Sequence, residues 1–195
     1  MGKIVSNFFM SLDGVVESPD QWHMPYFNDE MGAAIGRGME TNAAFLMGRV
    51  LYDEWAAFWP NQGGDDPFVA FFNSHPKYVV SNSLQTATWN NTTIVSGDVP
   101  RQLWELREGT DGDLVISGSA TLVRSLLGEG LVDELRVLVH PIVVGHGARL
   151  FENAASHALE LVANEVFTTG VLNLTYAPAN DGEARAPRPS DAGRA

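Results

Sequence analysis

Short apolar, β-prone runs alternate with helix-patterned segments along most of this chain, and that alternation limits the fold more than any single motif does. Residues 3–10 read as a buried strand, and a polar loop with glycine and proline follows over residues 11–25. Asn28 suits a helix cap, Asp29 and Glu30 suit the first turn, and Met31, Ile35 and Met39 fall on one face, so residues 28–41 predict a helix. Residues 44–47 form a short strand that ends at Gly48, and residues 49–57 read as a helix. Residues 60–66 read as loop, and 68–72 are too short to assign. Strands are expected at 78–80, 93–95, 114–116 and 134–139, and helices after Asp98 and over 121–127. Residues 159–166 and 171–176, joined by 168–170, read as a closing hairpin. The expected fold is therefore three-layer α/β. A mostly parallel central sheet carries helices on both faces, with a C-terminal antiparallel hairpin.

Composition narrows the partners. Twelve Lys and Arg stand against twenty-four Asp and Glu, a formal net charge of −12, which argues against nucleic acid and anionic membranes. A locally positive pocket for a phosphorylated cofactor stays compatible with that charge. The absence of cysteine removes disulfides, zinc–thiolate sites and cysteine nucleophiles together. No His/Asp/Glu cluster suggests a metal site. The apolar run 135–144 is interrupted by Arg136, His140 and Pro141, too short for a membrane helix. No signal peptide is read at the N-terminus, so the expected location is the cytoplasm. One domain is expected over residues 1–178, with a disordered tail over 179–195, where alanine is the only apolar residue.

Open α/β sheets bind ligands beyond the carboxyl ends of their strands, where helix N-termini present free N–H groups. Two strand-to-helix turns suit that. In Met47-Gly48-Arg49, glycine permits a tight turn and the guanidinium can meet a phosphate; alone, the same residues also read as a cap glycine and a solvated arginine. In Ile116-Ser117-Gly118-Ser119-Ala120-Thr121, small residues let a pyrophosphate approach the first helical turn and two hydroxyls add donors; an ordinary capped loop reads equally well. Two such turns in one alternating chain reinforce each other. Ser81, after the strand at 78–80, can bind a ribose or its phosphate, or simply make a turn. The dinucleotide pattern G-x-G-x-x-G is absent; Gly145 and Gly147 supply only its first half.

The ordered series Ser11-Leu12-Asp13-Gly14, Trp22-His23-Met24-Pro25, Met47-Gly48-Arg49, Val79-Val80-Ser81 and Ile116-Ser117-Gly118-Ser119 resembles the dihydrofolate reductase superfamily. Its nearest branch resembles the reductase domain of the bifunctional riboflavin-biosynthesis deaminase–reductase. Residues 130–135, His140-Pro141 and Gly145-His146-Gly147 share that likeness. The resemblance implies NADPH as cofactor. It implies Gly48 and Arg49 on the phosphates, Ser81 near the adenosine ribose phosphate, and Ser117 to Leu122 along the pyrophosphate. It also implies a catalytic loop, carrying Asp13 and Gly14, over the nicotinamide and substrate. Trp22 and Phe27 can stack on a flat heterocycle or pack in the core. His140 can donate a proton or cap a strand end.

Two departures stand out. Dihydrofolate reductases carry Gly-Gly where this chain has Ser117-Gly118, and a carboxylate where it has Phe27. The expectation is therefore an NADPH-dependent reductase of a small heterocyclic or ribosylated pyrimidine-like substrate, paired as a homodimer. The alternatives are a non-catalytic nucleotide-binding relative and a reductase of flavin or xenobiotic acceptors.

Overall fold

A computed structural model describes residues 2–63 and 65–179. The strands are β1 (Lys3–Ser11), β2 (Asn42–Gly48), β3 (Lys77–Val80), β4 (Thr92–Val95), β5 (Asp113–Ser117), β6 (Glu134–His140), β7 (Leu159–Val166) and β8 (Leu172–Pro178). The helices are α1 (Asp29–Thr41), α2 (Arg49–Phe58), α3 (Pro67–Ser74), α4 (Val99–Gly109) and α5 (Ala120–Gly128). The strands form a single sheet in the order β4-β3-β2-β5-β1-β6-β8-β7. β1 to β6 run parallel, while β8 pairs antiparallel with both β6 and β7.

The layering follows from the two-residue repeat of strand side chains. Phe8, Leu46, Leu114 and Ile116 face one side, where Leu103 of α4 and Leu122, Val123 and Leu126 of α5 cover them. Phe45, Met47 and Val79 face the other and pack under α2 and α3 through Tyr52, Trp55, Phe71 and Phe72. Phe9 and Leu138 lie on that second side too, below Met31 and Ile35 of α1. The expected three layers, parallel sheet and closing hairpin are all present.

One helix was not legible in sequence. Residues 68–72 belong to α3, which Asp66 caps by accepting from the Phe68 N–H at 2.8 Å, with Pro67 in the first turn. Eight residues dense in phenylalanine give too little periodicity to separate a helix from a strand. Of the expected tail, Ala179 still bonds to the Ala158 carbonyl at 3.0 Å, and the rest lies outside the described residues. Among the described residues no helix is long and apolar enough to cross a membrane.

Candidate active site

The chain leaves β2 into α2 on one face and leaves the neighbouring β5 into α5 on the other. Such a reversal opens a crevice beyond the strand ends. The two turns touch there. Ser119 Oγ accepts the Gly48 N–H at 2.9 Å. A Cβ at Gly48 would lie 3.2 Å from Ser119 Oγ and 3.4 Å from Ser119 Cβ, so only glycine lets the turns approach this closely. Gly118 (φ +85°) and Ser119 (φ 60°, ψ 56°) both take left-handed backbone, which bends β5 sharply into α5.

The capping pattern separates these two helices from the others. Asn28, Asp66 and Asp98 each turn a side chain onto an N–H of the first turn of α1, α3 and α4. Gly48 has no side chain to offer α2, and Ser119 spends its hydroxyl on Gly48 instead of on α5. The first-turn N–H groups, at Arg49 and Val50 on one helix and Ala120 to Leu122 on the other, thus have no side-chain acceptor. Two positive helix ends stand side by side, a natural seat for an anion.

A continuous cleft of about 2160 Å³ runs from these turns across the sheet to α1. That is roughly twice the upper range of a single small-molecule pocket, about 1,000 Å³, and leaves room for a dinucleotide and a second molecule. Gly48, Arg49 and Ser117 to Leu122 line it. Arg49 reaches Asp53 through Nε alone, at 2.7–2.8 Å, so the terminal nitrogens of its fork remain for a phosphate. Ser81 sits at the neighbouring strand end, where its Oγ accepts the N–H groups of Ser83 and Leu84 at 3.2 and 3.1 Å. Its neighbour Val80 lines the cleft; Ser81 holds a turn beside it.

The other predicted residues divide into two sets. Phe27 is 48% exposed and lines the cleft. Asp13, Gly14, Trp22 and His140 stand behind the wall. Asp13 accepts from Ser11 Oγ (2.7 Å), Val144 N (3.0 Å) and Gly145 N (2.9 Å), with Arg149 Nη2 at 3.5 Å. The Ser11 hydroxyl first, and then the two N–H groups, hold its carboxyl far below the usual carboxylate range. Asp13 is thus an ionised clamp between the end of β1 and the 141–149 loop. Gly14 (φ +85°) makes the turn beside it. Trp22 is buried, donates to the Glu17 carbonyl at 3.1 Å, and meets the His140 ring edge-on at 5.3 Å. His140 is fully buried; its Nδ1 contacts the Leu138 carbonyl at 2.8 Å, and burial lowers its pKa.

Sequence reasoning missed two parts of the site. His23 lines the cleft, stacked on Phe9 with centroids 4.5 Å apart, and nothing in its spacing marks it. The α1 wall did leave a signal: Gly32, Gly36 and Gly38 in a 13-residue helix. Each costs about 1 kcal/mol against alanine. Gly32 and Gly38 line the cleft, where a Cβ would meet other atoms only at 3.8 Å, so glycine there enlarges the groove.

Comparison with known proteins gives the family and the fold. A family model described as the RibD C-terminal domain matches residues 2–173. The uncharacterised protein YyaP of Bacillus subtilis (strain 168) is 25% identical over 181 residues, covering 89% of this chain and 94% of its own. The solved structure of a protein from Shewanella sp. PV-4, described as a riboflavin biosynthesis protein, superposes with a TM-score of 0.75 at 23% identity. It covers 92% of this chain and 100% of the other. Dihydrofolate reductase from Enterococcus faecalis, complexed with NADP(H), superposes with a TM-score of 0.63 at 14% identity, covering 92% and 98%. The fold is dihydrofolate-reductase-like.

Proposed function

This chain belongs to the RibD C-terminal domain family, and we propose that it is an NADPH-dependent reductase of a small heterocyclic acceptor. One observation carries the reading: two adjacent helix N-termini without side-chain caps, brought together by Gly48 and Ser119. The donor set fits a pyrophosphate. It consists of backbone N–H groups in two first turns and the dipoles of two helices, and the guanidinium at the head of one is left for a further phosphate.

When bound, NADPH would supply a hydride to an electrophilic ring atom of the acceptor, and a proton taken up at the adjacent atom would complete the reduction. The chain's own part is positioning. The N–H groups of Arg49 and Val50 would hold one phosphate of the pyrophosphate and those of Ala120 to Leu122 the other, while the terminal nitrogens of Arg49 would meet the ribose 2′-phosphate that NADPH carries and NADH lacks. Asp13 keeps the 141–149 loop against the end of β1, so that wall has one shape. Phe9, His23 and Phe27 line the part of the cleft in which the acceptor lies. α1, thinned by its glycines, closes over it.

Calorimetric titration with NADPH and NADH tests the cofactor reading. NADPH is expected to bind more tightly than NADH, and Arg49→Ala to weaken NADPH more than NADH. Equal affinities for the two cofactors, or no binding of either, refute it.

A further inference from the structure

The acceptor end of the cleft differs in chemistry from the phosphate end. Phe9 and Ile35 form two of its sides, and Met24 and Phe27 stand at its mouth, 60% and 48% exposed. Large apolar side chains left open to water around a concave site mark a ligand surface. His23 lies flat on Phe9 with an interplanar angle of 22°, and its ring meets Phe27 edge-on at 6.4 Å. Its Nδ1 is buried without a hydrogen-bond partner. Burial pushes its pKa below the ordinary imidazole value, so near neutral pH the ring is uncharged.

Two cations on the α1 side of the cleft are already matched. Arg37 pairs with Glu165 at 3.1 Å. Arg136 meets Glu134 at 2.5 Å and Asp113 at 3.6 Å. Glu17 and Asp20 add negative charge to the same wall. A phosphate dianion seated here would meet these carboxylates, while Arg124, which pairs with no carboxylate among the described residues, reaches Thr121 Oγ1 at 3.1 Å toward the phosphate end; a desolvated, unpaired charge is costly. The phosphate end has the opposite character.

Building on the proposed reductase activity, we propose that the acceptor is an uncharged planar heteroaromatic without a phosphate, seated between Phe27 and Met24 and held at one ring edge by His23, which Phe9 backs from behind. This sets it apart from a ribosylated substrate that carries a phosphate. With Nδ1 buried, Nε2 is the nitrogen that offers that edge a hydrogen bond with no added charge, and the aromatic faces supply stacking.

Riboflavin and FMN test the proposal, because they share one ring and differ by a phosphate. Each is titrated into the full chain with saturating NADP⁺, which cannot reduce them, and binding is read from flavin fluorescence; NADP⁺ binding is measured separately by calorimetry. Riboflavin is expected to bind at least tenfold more tightly than FMN. His23→Ala is expected to weaken riboflavin about tenfold. Glu165→Gln, which releases Arg37 on an exposed strand, should narrow the FMN deficit. FMN binding as tightly as riboflavin, or riboflavin failing to bind while NADP⁺ binds, overturns the proposal alone. Loss of NADP⁺ binding with the riboflavin preference intact overturns the cofactor reading alone.

Discussion

Gly48→Ala tests the crevice most directly. The backbone at Gly48 is extended (φ −80°, ψ 165°), so alanine meets no torsional strain there. The cost is steric. The new Cβ would sit 3.2 Å from Ser119 Oγ and 3.4 Å from Ser119 Cβ, closer than ordinary contact by a few tenths of an ångström. Either α5 shifts outward at its N-terminus or Ser119 rotates away, and both weaken the 2.9 Å bond to the Gly48 N–H. Loss of a hydrogen bond of this kind costs about 1 kcal/mol, which for a chain of this size lowers Tm by about 2–4 °C. The larger effect falls on the cofactor, because the two helix N-termini no longer meet one anion together. NADPH affinity should fall about tenfold, equivalent to about 1.4 kcal/mol. Ser119→Gly in the same chain removes both clashing atoms at a position whose φ of 60° suits glycine, so it should restore most of the affinity. Calorimetric titration of NADPH against the four members of this cycle gives the answer. An affinity for Gly48→Ala within twofold of the native chain, or no recovery in the double variant, would refute the shared anion seat.

Three further outcomes are expected. Asp13 has a depressed pKa, so its stabilising effect is present above the ordinary carboxylate range and lost as pH falls toward its folded value; Asp13→Asn should flatten the acid limb of a Tm-against-pH profile, and an unchanged limb would show that the clamp contributes nothing. Dihydrofolate should be a poor acceptor, with steady-state turnover at least about 10²-fold below that of a dedicated enzyme, since Phe27 offers no proton path and the Glu30 carboxylate is held by Asn28 and Thr168; comparable turnover would mean the acid has been misplaced. The outer strand β7 exposes Leu161, Val162 and Val166, so light scattering at micromolar concentration should give the mass of a dimer; a monomer mass would show that the edge stays uncovered.

What sequence could and could not reveal follows from the range of each interaction. β1, β2, β5 and β6 were legible because burial on both faces writes continuous apolar runs, and α1 and α4 because Asn28 and Asp98 cap them locally. Lys77 was not. It reads as a surface residue preceding a strand, yet it is fully buried and opens β3, with Nζ donating to the carbonyls of Asn73, His75 and Asn90 and lying over the Trp89 ring at 4.2 Å. Those acceptors come from both sides of the strand, and no local pattern announces such a cage. Burial pushes its pKa down to about 8, so the folded chain releases that proton earlier than the unfolded chain does.

The candidate site divides along the same line. Gly48, Arg49 and Ser117 to Leu122 were readable as two turns of the right composition, because a phosphate seat is built from backbone within a few consecutive residues. The acceptor wall combines β1, the 22–27 segment and α1, three pieces with no shared spacing. Its nearest sequence sign was an energetic anomaly rather than a motif. Three glycines inside α1 raise the cost of that helix by about 3 kcal/mol in intrinsic propensity, and packing has to offset it. Two of the three face the cleft, where they leave space instead of filling it. A stability cost located along one wall of a groove is the physical signature of room kept for a ligand, and it depends on chain composition alone. Gly32→Ala should therefore strengthen α1 by about 1 kcal/mol in intrinsic propensity, while its methyl narrows the gap to Phe27. A higher Tm with weaker riboflavin binding is the expected pair of results. A higher Tm with unchanged binding would assign the glycine to something other than the acceptor.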